Sequence, residues 1–417
     1  MSKINIAFHH PIVDIQDHVV FANNGNVLAC YKVQLPEIHS LSETDFEGLH
    51  SNWFQAFKSL PVGTVIHKQD SYLKSSFNSE YLRKDTFLSK ATHDYFKGRE
   101  YMEHQSYLFF TCPRRTGFNN PKYVNPFKNV PKELTRKLDD GVKQFLDAVS
   151  DAVNYLNNGQ KIRLEPMVHN EILALTQKQF NGHNPDCDTD IVMDGPKVAI
   201  GNHHFDVLAI NSESCFGDSV QTSKFNARFT SDDFTFHQGF IDGLGLSLKE
   251  NHIINQIIYL DDRHQWRKRL EKKVEELKKS SNFGTQNKVV LKKIEHILGQ
   301  INNDDHARIV RAHLNIIHWN RDEEELERTN AQIRAELKEL DMVPYYPCGK
   351  ERKNYILNSF PYFAPNFSNA DLYVTDLKHA LCLWINTTNY RTDGTGIVFN
   401  DRESNIPVLK DVWDEGK

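Results

Sequence analysis

Tyr107-Leu108-Phe109-Phe110-Thr111 is a short, almost wholly apolar run, and it suits a central strand buried on both faces. Partners for it are legible upstream. Pro11 to Ile15, Val19 to Ala22 and Val27 to Leu35 read as strands, with Asn23-Asn24-Gly25-Asn26 as the turn between the last two. A helix follows: Ser42 and Asp45 form its capping pair, Phe46, Leu49, Trp53, Phe57 and Leu60 its apolar stripe, and Pro61 and Gly63 its stop. Thr64 to Leu73 returns as a strand, and Glu80 to Lys97 reads as a helix. The class is α+β, mixed sheets with packed helices.

Downstream, Pro113 to Pro131 holds four prolines with Gly117, Asn119 and Asn120, so an exposed excursion is expected there. Its Arg114, Arg115, Phe118, Lys122 and Tyr123 have the make-up of a loop that touches nucleic acid or an anionic membrane; a solvated linker is the commoner meaning of such composition. Leu134 to Leu156 is a helix with Leu138, Val142, Phe145, Leu146, Val149 and Val153 on one face. Lys161 to Met167 then reads as a strand and Glu171 to Phe180 as a helix, while Asn181 to Asp194 is polar and loop-like. Lys197 to Ile200 with Phe205 to Ile210 forms a hairpin around Gly201-Asn202-His203-His204, and Ile253 to Leu260 is an apolar strand after the segment Gly239 to Gly245.

Asp261 to Met342 reads as almost continuous helix, interrupted by Ser280 to Gly284 and Asn302 to Asp305. Apolar residues recur at near-heptad spacing: Trp266, Leu270, Val274 and Leu277; Val290, Ile294, Ile297 and Ile301; Leu326, Ile333, Leu337 and Leu340. An unbroken helix from Asp305 to Leu340 would span roughly 50 Å. A projecting helical hairpin or bundle is expected, or equally the solvated face of an ordinary bundle. Beyond Pro344 and Pro347, Tyr355 to Ala364 is an aromatic, proline-bearing loop and Ala380 to Thr388 an apolar strand. Gly394 to Asp411 closes as a hairpin, with Ile397 to Phe399 and Ile406 to Leu409 around the polar turn Asp401 to Asn405. Pro407 belongs at an edge or a strand start. The sections are therefore 1–158, 159–260, 261–342 and 343–417, the last completing a sheet begun earlier. A chain that stops at Lys417, just after a hairpin, is expected to be the first part of something longer.

Composition sets bounds. A chain of 417 residues exceeds the size at which one core keeps growing, so two or more subdomains are expected. Hydrophobic content of 39% suffices for a sizeable core. The net charge of −5 argues against a chain dominated by nucleic-acid binding while leaving room for a local basic groove. No run of apolar residues is long enough to cross a membrane, and Met1 to His10 lacks the core of a signal peptide. Cys30, Cys112, Cys187, Cys215, Cys348 and Cys382 lie too far apart for a disulfide framework, so a reduced, cytoplasmic protein is expected.

Motifs that carry chemistry are few. A phosphate-binding loop needs a glycine-rich turn closed by Gly-Lys-Ser/Thr. Gly349-Lys350 is followed by Glu351, and Gly416-Lys417 by no hydroxyl residue. His183, Cys187, His203, His204 and Cys215 match no common zinc spacing, and His203 and His204 on one strand would point to opposite faces. His9-His10 and His203-His204 lack the intervening apolar residue of a relaxase metal motif, and Asp232-Asp233 beside His237 belongs to a turn. His67-Lys68-Gln69-Asp70 lies in a strand and reads as a polar or interface segment rather than a catalytic set. No catalytic, cofactor-binding or metal-binding residue is assigned.

Five stretches together carry a family likeness: Pro11-Ile12-Val13-Asp14-Ile15, Leu35-Pro36-Glu37-Ile38, His67-Lys68-Gln69-Asp70, Tyr107-Leu108-Phe109-Phe110, and the run from Gly396 to Asp411. In these pieces and their order the chain resembles the N-terminal region of the TraG conjugation ATPases of conjugative transposons, relatives of the VirB- and TraC-type motors of type IV secretion. The resemblance implies a parent ATPase whose ATP and Mg²⁺ belong to a RecA-like motor domain following the hairpin. It further implies a cytoplasmic module, peripheral at the inner membrane, that binds inner-membrane secretion components and neighbouring copies of itself. The competing expectation is a self-contained enzyme or nucleic-acid-binding protein with an unfamiliar site.

Overall fold

The computed structural model describes residues 2–5, 11–77, 86–113, 140–159, 161–183, 190–194, 197–217, 219–280, 285–303, 307–393, 396–401 and 406–413. Its frame is the strand around Tyr107 to Thr111. That strand, β6 (Glu100–Cys112), lies between β4 (Val27–Gln34) and β5 (Val65–Ser76), antiparallel to both. Leu108, Phe109, Phe110 and Thr111 are at most 2% exposed, as a strand covered on both faces must be.

From this centre the sheet grows to thirteen strands, and every pairing in it is antiparallel. On the β4 side lie β3 (Val19–Ala22) and the edge strand β2 (Ile12–Gln16), with β7 (Arg163–Pro166) also against β4. Beyond β5 come β13 (His252–Leu260), β14 (Ile309–Asn320), β10 (His203–Ile210), β9 (Lys197–Ile200), β8 (Asp190–Asp194) and β1 (Ser2–Asn5). A further strand, β15 (Tyr373–Asp376), pairs the first residues of β14. Strands from all four sequence sections thus share one sheet.

Helices cover both faces. The stripe of α1 (Glu43–Lys58) buries Phe46, Leu49, Trp53 and Phe57, and the capping box of Ser42 and Asp45 closes its first turn. On the same layer α3 (Asp140–Asn158) contributes Phe145, Val149 and Leu156. The other layer holds Tyr355 and Ile356 with Phe180, Phe205 and Trp319. Between α1 and α3 in the chain comes α2 (Phe87–Phe96), which is capped by Thr86; residues 78–85, where a helix start was expected, lie outside the described residues, as do residues 114–131 of the proline-rich excursion and residues 132–139, which include the start of the helix expected from Leu134.

Four expectations are corrected. Asp305 to Leu340 is not one helix: Ile309 to Asn320 is the strand β14, buried on both faces, with only α8 (Glu323–Glu339) helical after it. The helical excursion is therefore a two-helix arm, α6 (Arg263–Ser280) packed on α7 (Thr285–Asn303), inserted between the adjacent strands β13 and β14. The expected strand at Ala380 to Thr388 begins instead as the short helix α10 (Leu377–Leu381), capped by Asp376 accepting from Lys378 N at 2.6 Å. Asn181 to Asp194, expected as a loop, ends in β8. Tyr355 to Ala364, expected as a loop, opens inside the helix α9 (Lys350–Asn358). The terminal hairpin forms as expected, β16 (Ile397–Asn400) with β17 (Pro407–Lys410), and Pro407 begins its strand. This ribbon is a separate two-stranded sheet, as is the pair β11 (Ser223–Phe225) with β12 (His237–Gly239); the late strand that rejoins the large sheet is β15.

Candidate functional site

His67-Lys68-Gln69-Asp70 occupies the middle of β5, between β6 and β13, and all four side chains are at most 2% exposed. Strand alternation sends Lys68 and Asp70 to one face and His67 and Gln69 to the other. Each pair starts a polar network where an apolar core would be expected. A buried polar group without a partner costs free energy, so the members of each network hydrogen-bond to one another, with His67 Nδ1 and Gln179 Oε1 left without a partner among the described residues.

On the first face Asp70 accepts from the Lys68 ammonium and lies 3.1 Å from His104 Nε2. The other imidazole nitrogen, Nδ1, lies 2.8 Å from Thr388 Oγ1. Burial pushes the Asp70 carboxyl up, but Lys68 and His104 together outweigh it and hold it below the usual range. Burial lowers both Lys68 and His104. The Tyr72 ring stacks between two imidazoles, 4.2 Å from His104 and 4.8 Å from His252. Asp242 closes this region from α5 (Asp242–Leu246), accepting from Gly239 N at 3.1 Å, Asn386 N at 2.9 Å and Thr387 Oγ1 at 2.5 Å. Burial raises its carboxyl to about 6.

The order Asp70, His104, Thr388 is that of an acid, a base and a hydroxyl, which in an open cleft activates a nucleophile. Here the Lys68 and Asp70 side chains are 0% exposed and that of His104 1%. The array orients its groups toward one another and fastens the segment after α10 to the sheet. Thr388 is held from both sides, its N–H donating to Pro36 O and its carbonyl accepting from Ile38 N.

On the second face His67 Nε2 and Gln69 Nε2 converge on Asn255 Oδ1 at 3.0 and 2.8 Å. Asn255 Nδ2 donates to Asn315 Oδ1 at 2.9 Å, and Asn315 reaches Ser359 Oγ at 2.8 Å. Gln179 Nε2 from α4 (His169–Phe180) donates to Gln69 Oε1 at 2.7 Å. Beside this belt, Gln69, Gln179, His183, Asn255 and Ser359 line a cavity of about 20 Å³, room for one water molecule and no substrate.

The remaining sequence candidates stay apart. His183 is half-buried and stacks on Trp319 at 4.6 Å, Cys215 is buried in the opposite layer, and Cys187 and His9-His10 lie outside the described residues. Among the described residues no group of three His, Cys, Asp or Glu is disposed to hold a metal ion. Gly349, at φ 55°, caps α9, and Asp232-Asp233 is exposed in a bend. Sequence reasoning missed His104, Asp242, Asn255, Asn315 and Thr388. For Asn255 the signal was present, the amide pair Asn255-Gln256 within the otherwise apolar run Ile253 to Leu260.

The exposed candidate is the terminal ribbon. Its inner strand β17 buries Val408 and Leu409 and is tied to the end of β4. Lys410 Nζ lies 3.6 Å from Glu37, Arg391 N donates to Glu37 Oε1 at 2.9 Å, and Arg391 Nη2 donates to Leu35 O at 2.9 Å. Its outer strand β16 pairs only with β17 among the described residues. Ile397 and Phe399, two apart and so on one face, are 50% and 49% exposed; Trp413, just beyond the ribbon, is 82% exposed. No helix among the described residues is long and apolar enough to cross a membrane.

Residues 1–51 match a family described as "Domain of unknown function, B. Theta Gene description (DUF3875)". That stretch holds β1, β2, β3, β4 and the start of α1, and includes Glu37, the anchor of the ribbon. No curated protein matches the chain.

Proposed function

We propose that the chain is a docking and scaffold module of a conjugation ATPase of the type IV secretion kind, joining inner-membrane secretion components and neighbouring copies of itself. Nucleotide chemistry in this reading belongs to a motor domain of the parent protein. The observation that carries it is the ribbon: one strand is tied to the body through Lys410 and Glu37, while the other presents Ile397 and Phe399 to solvent, with an edge that is unpaired among the described residues. An exposed apolar strand edge is a template for another chain, and contiguous exposed apolar surface marks interaction sites. The resemblance to the TraG N-terminal region, which includes this hairpin, supplies the partner class. The DUF3875 match, in a domain of Bacteroides-type description, is compatible with it.

The test is co-purification of the chain with the membrane-embedded subunits of its own transfer system, using wild type and the variant Ile397→Asp/Phe399→Asp. Both substitutions fall on exposed positions and leave the sheet core untouched. Capture by the wild type and its loss in the variant support the reading. Equal capture by both removes the ribbon from it.

A further inference from the structure

The α6–α7 arm differs in charge from the rest of the chain. Residues 263–303 hold eleven Lys and Arg against four Glu, a surplus of seven positive charges on a chain of net charge −5. Three of those glutamates already face other cations: Glu271 lies 3.4 Å from Arg267, Glu276 3.6 Å from Lys273, and Glu295 3.0 Å from Lys278. Lys268, Lys272 and Lys279 on α6 and Lys288 and Lys292 on α7 are exposed, and none of the five makes an ion pair among the described residues. Their spacing groups them. Lys272 follows Lys268 by four positions and Lys279 follows Lys272 by seven, which places all three on one face of α6; Lys288 and Lys292 are likewise four apart on α7.

Three kinds of polyanion surface could meet such an arm, and two fit poorly. A lipid surface is bound by helices with a free apolar face, yet Val274 and Leu277 are buried, and Val290 is the one large apolar side chain exposed on the arm among the described residues. Unpaired bases are held by exposed aromatic platforms, yet the Trp266 ring is covered by Arg269 at 5.3 Å and its N–H donates to Asp261 at 2.8 Å. Among the described residues, what remains is charge without apolar or stacking surface. That is the chemistry of the duplex phosphate backbone, bound without regard to sequence.

We infer that the α6–α7 arm is a nucleic-acid contact that holds duplex DNA by its phosphates through Lys268, Lys272, Lys279, Lys288 and Lys292. The contact is separate from the ribbon on which the docking reading rests. With residues 263–303 carrying the positive surplus, the rest of the chain is strongly negative and repels the duplex, so binding is confined to the arm; screening over about 8 Å at physiological salt keeps the two fields distinct.

The experiment is fluorescence anisotropy of a labelled 20-base-pair duplex of arbitrary sequence with the full chain, between about 50 and 200 mM salt. The inference predicts binding that weakens with salt, with log–log slope about −4.5 if all five lysines engage phosphates. Replacing the five lysines by glutamine weakens binding at 50 mM salt at least about tenfold and flattens the slope, while replacing them by arginine preserves both. The melting temperature and circular dichroism of both variants match the wild type, because the positions are exposed. Absence of duplex binding at the lowest salt, glutamine and wild-type proteins that bind alike, or binding to anionic vesicles in preference to the duplex would each overturn the inference. None of these results bears on capture through Ile397 and Phe399.

Discussion

Leu260 and Val310 are register partners in adjacent antiparallel strands, although the whole α6–α7 arm lies between them in the chain. Neighbouring antiparallel strands need only a two-residue turn, so the arm is an insertion that the sheet does not require. Replacing residues 263–303 by a short Gly-Ser linker is expected to leave a folded protein, with helical circular dichroism reduced and a single cooperative melt retained. Asp261, which pairs Arg311 with Nε–Oδ2 at 2.6 Å, stays in place in that variant. Loss of cooperative unfolding would show that the arm is part of the core.

The Lys68–Asp70 pair is sealed from water, and removing one partner leaves the other charge uncompensated. Asp70→Asn and Lys68→Met are each expected to cost about 3–5 kcal/mol in urea denaturation. The double variant Lys68→Met/Asp70→Leu should cost clearly less than the sum, since neither charge remains. Additive losses would mean that the two side chains do not interact.

Burial holds the imidazoles of His67, His252 and His313 down to about 4. An unfolded chain restores them to the ordinary value near 6.5 and takes up protons first. Their contribution is therefore complete above about pH 6.5 and is lost as the pH falls toward 4, at roughly 3 kcal/mol for each group. Stability measured at pH 7.5, 6 and 5 should fall steadily, and His252→Phe, which preserves the stack on Tyr72, should make that fall shallower. An unchanged slope in the variant would place the sensitivity elsewhere.

Gly245 lies against the Tyr72 ring, and a Cβ at that position would overlap the Tyr72 hydroxyl and Cζ. Gly245→Ala is expected to destabilise by about 1–3 kcal/mol, read as a lowered midpoint in urea. Tyr72→Phe should not relieve it, because the ring carbon also collides. Full rescue would place the strain on the hydroxyl alone.

Much of this architecture was legible in residue patterns. Phe109 and Phe110 in a continuous apolar run placed β6 at the centre, and Ser42 with Asp45 placed the start of α1. The strand β14 was lost because Arg311, His313, Asn315 and His318 interrupt its apolar residues, and charged helical sequence flanks it on both sides. The β-branched cluster Ile309, Val310, Ile316 and Ile317 was the contrary signal. Leu381 to Ile385 is too short an apolar run to separate strand from helix by period alone. The two networks on β5 were not legible: their residue types are visible, but His104 and Thr388 arrive from distant segments, and burial of Lys68 and Asp70 follows only from β5 lying between β6 and β13. The ribbon was readable as a hairpin, while the solvent exposure of Ile397 and Phe399 was not.

The most direct measurement places a photoreactive phenylalanine analogue at Phe399 in the full-length protein and irradiates cells carrying the transfer system. The account predicts a covalent adduct with an inner-membrane transfer component or a second copy of the chain, and no such adduct from the same analogue at the buried Phe110. Adducts absent from position 399, or indistinguishable between the two positions, would contradict it.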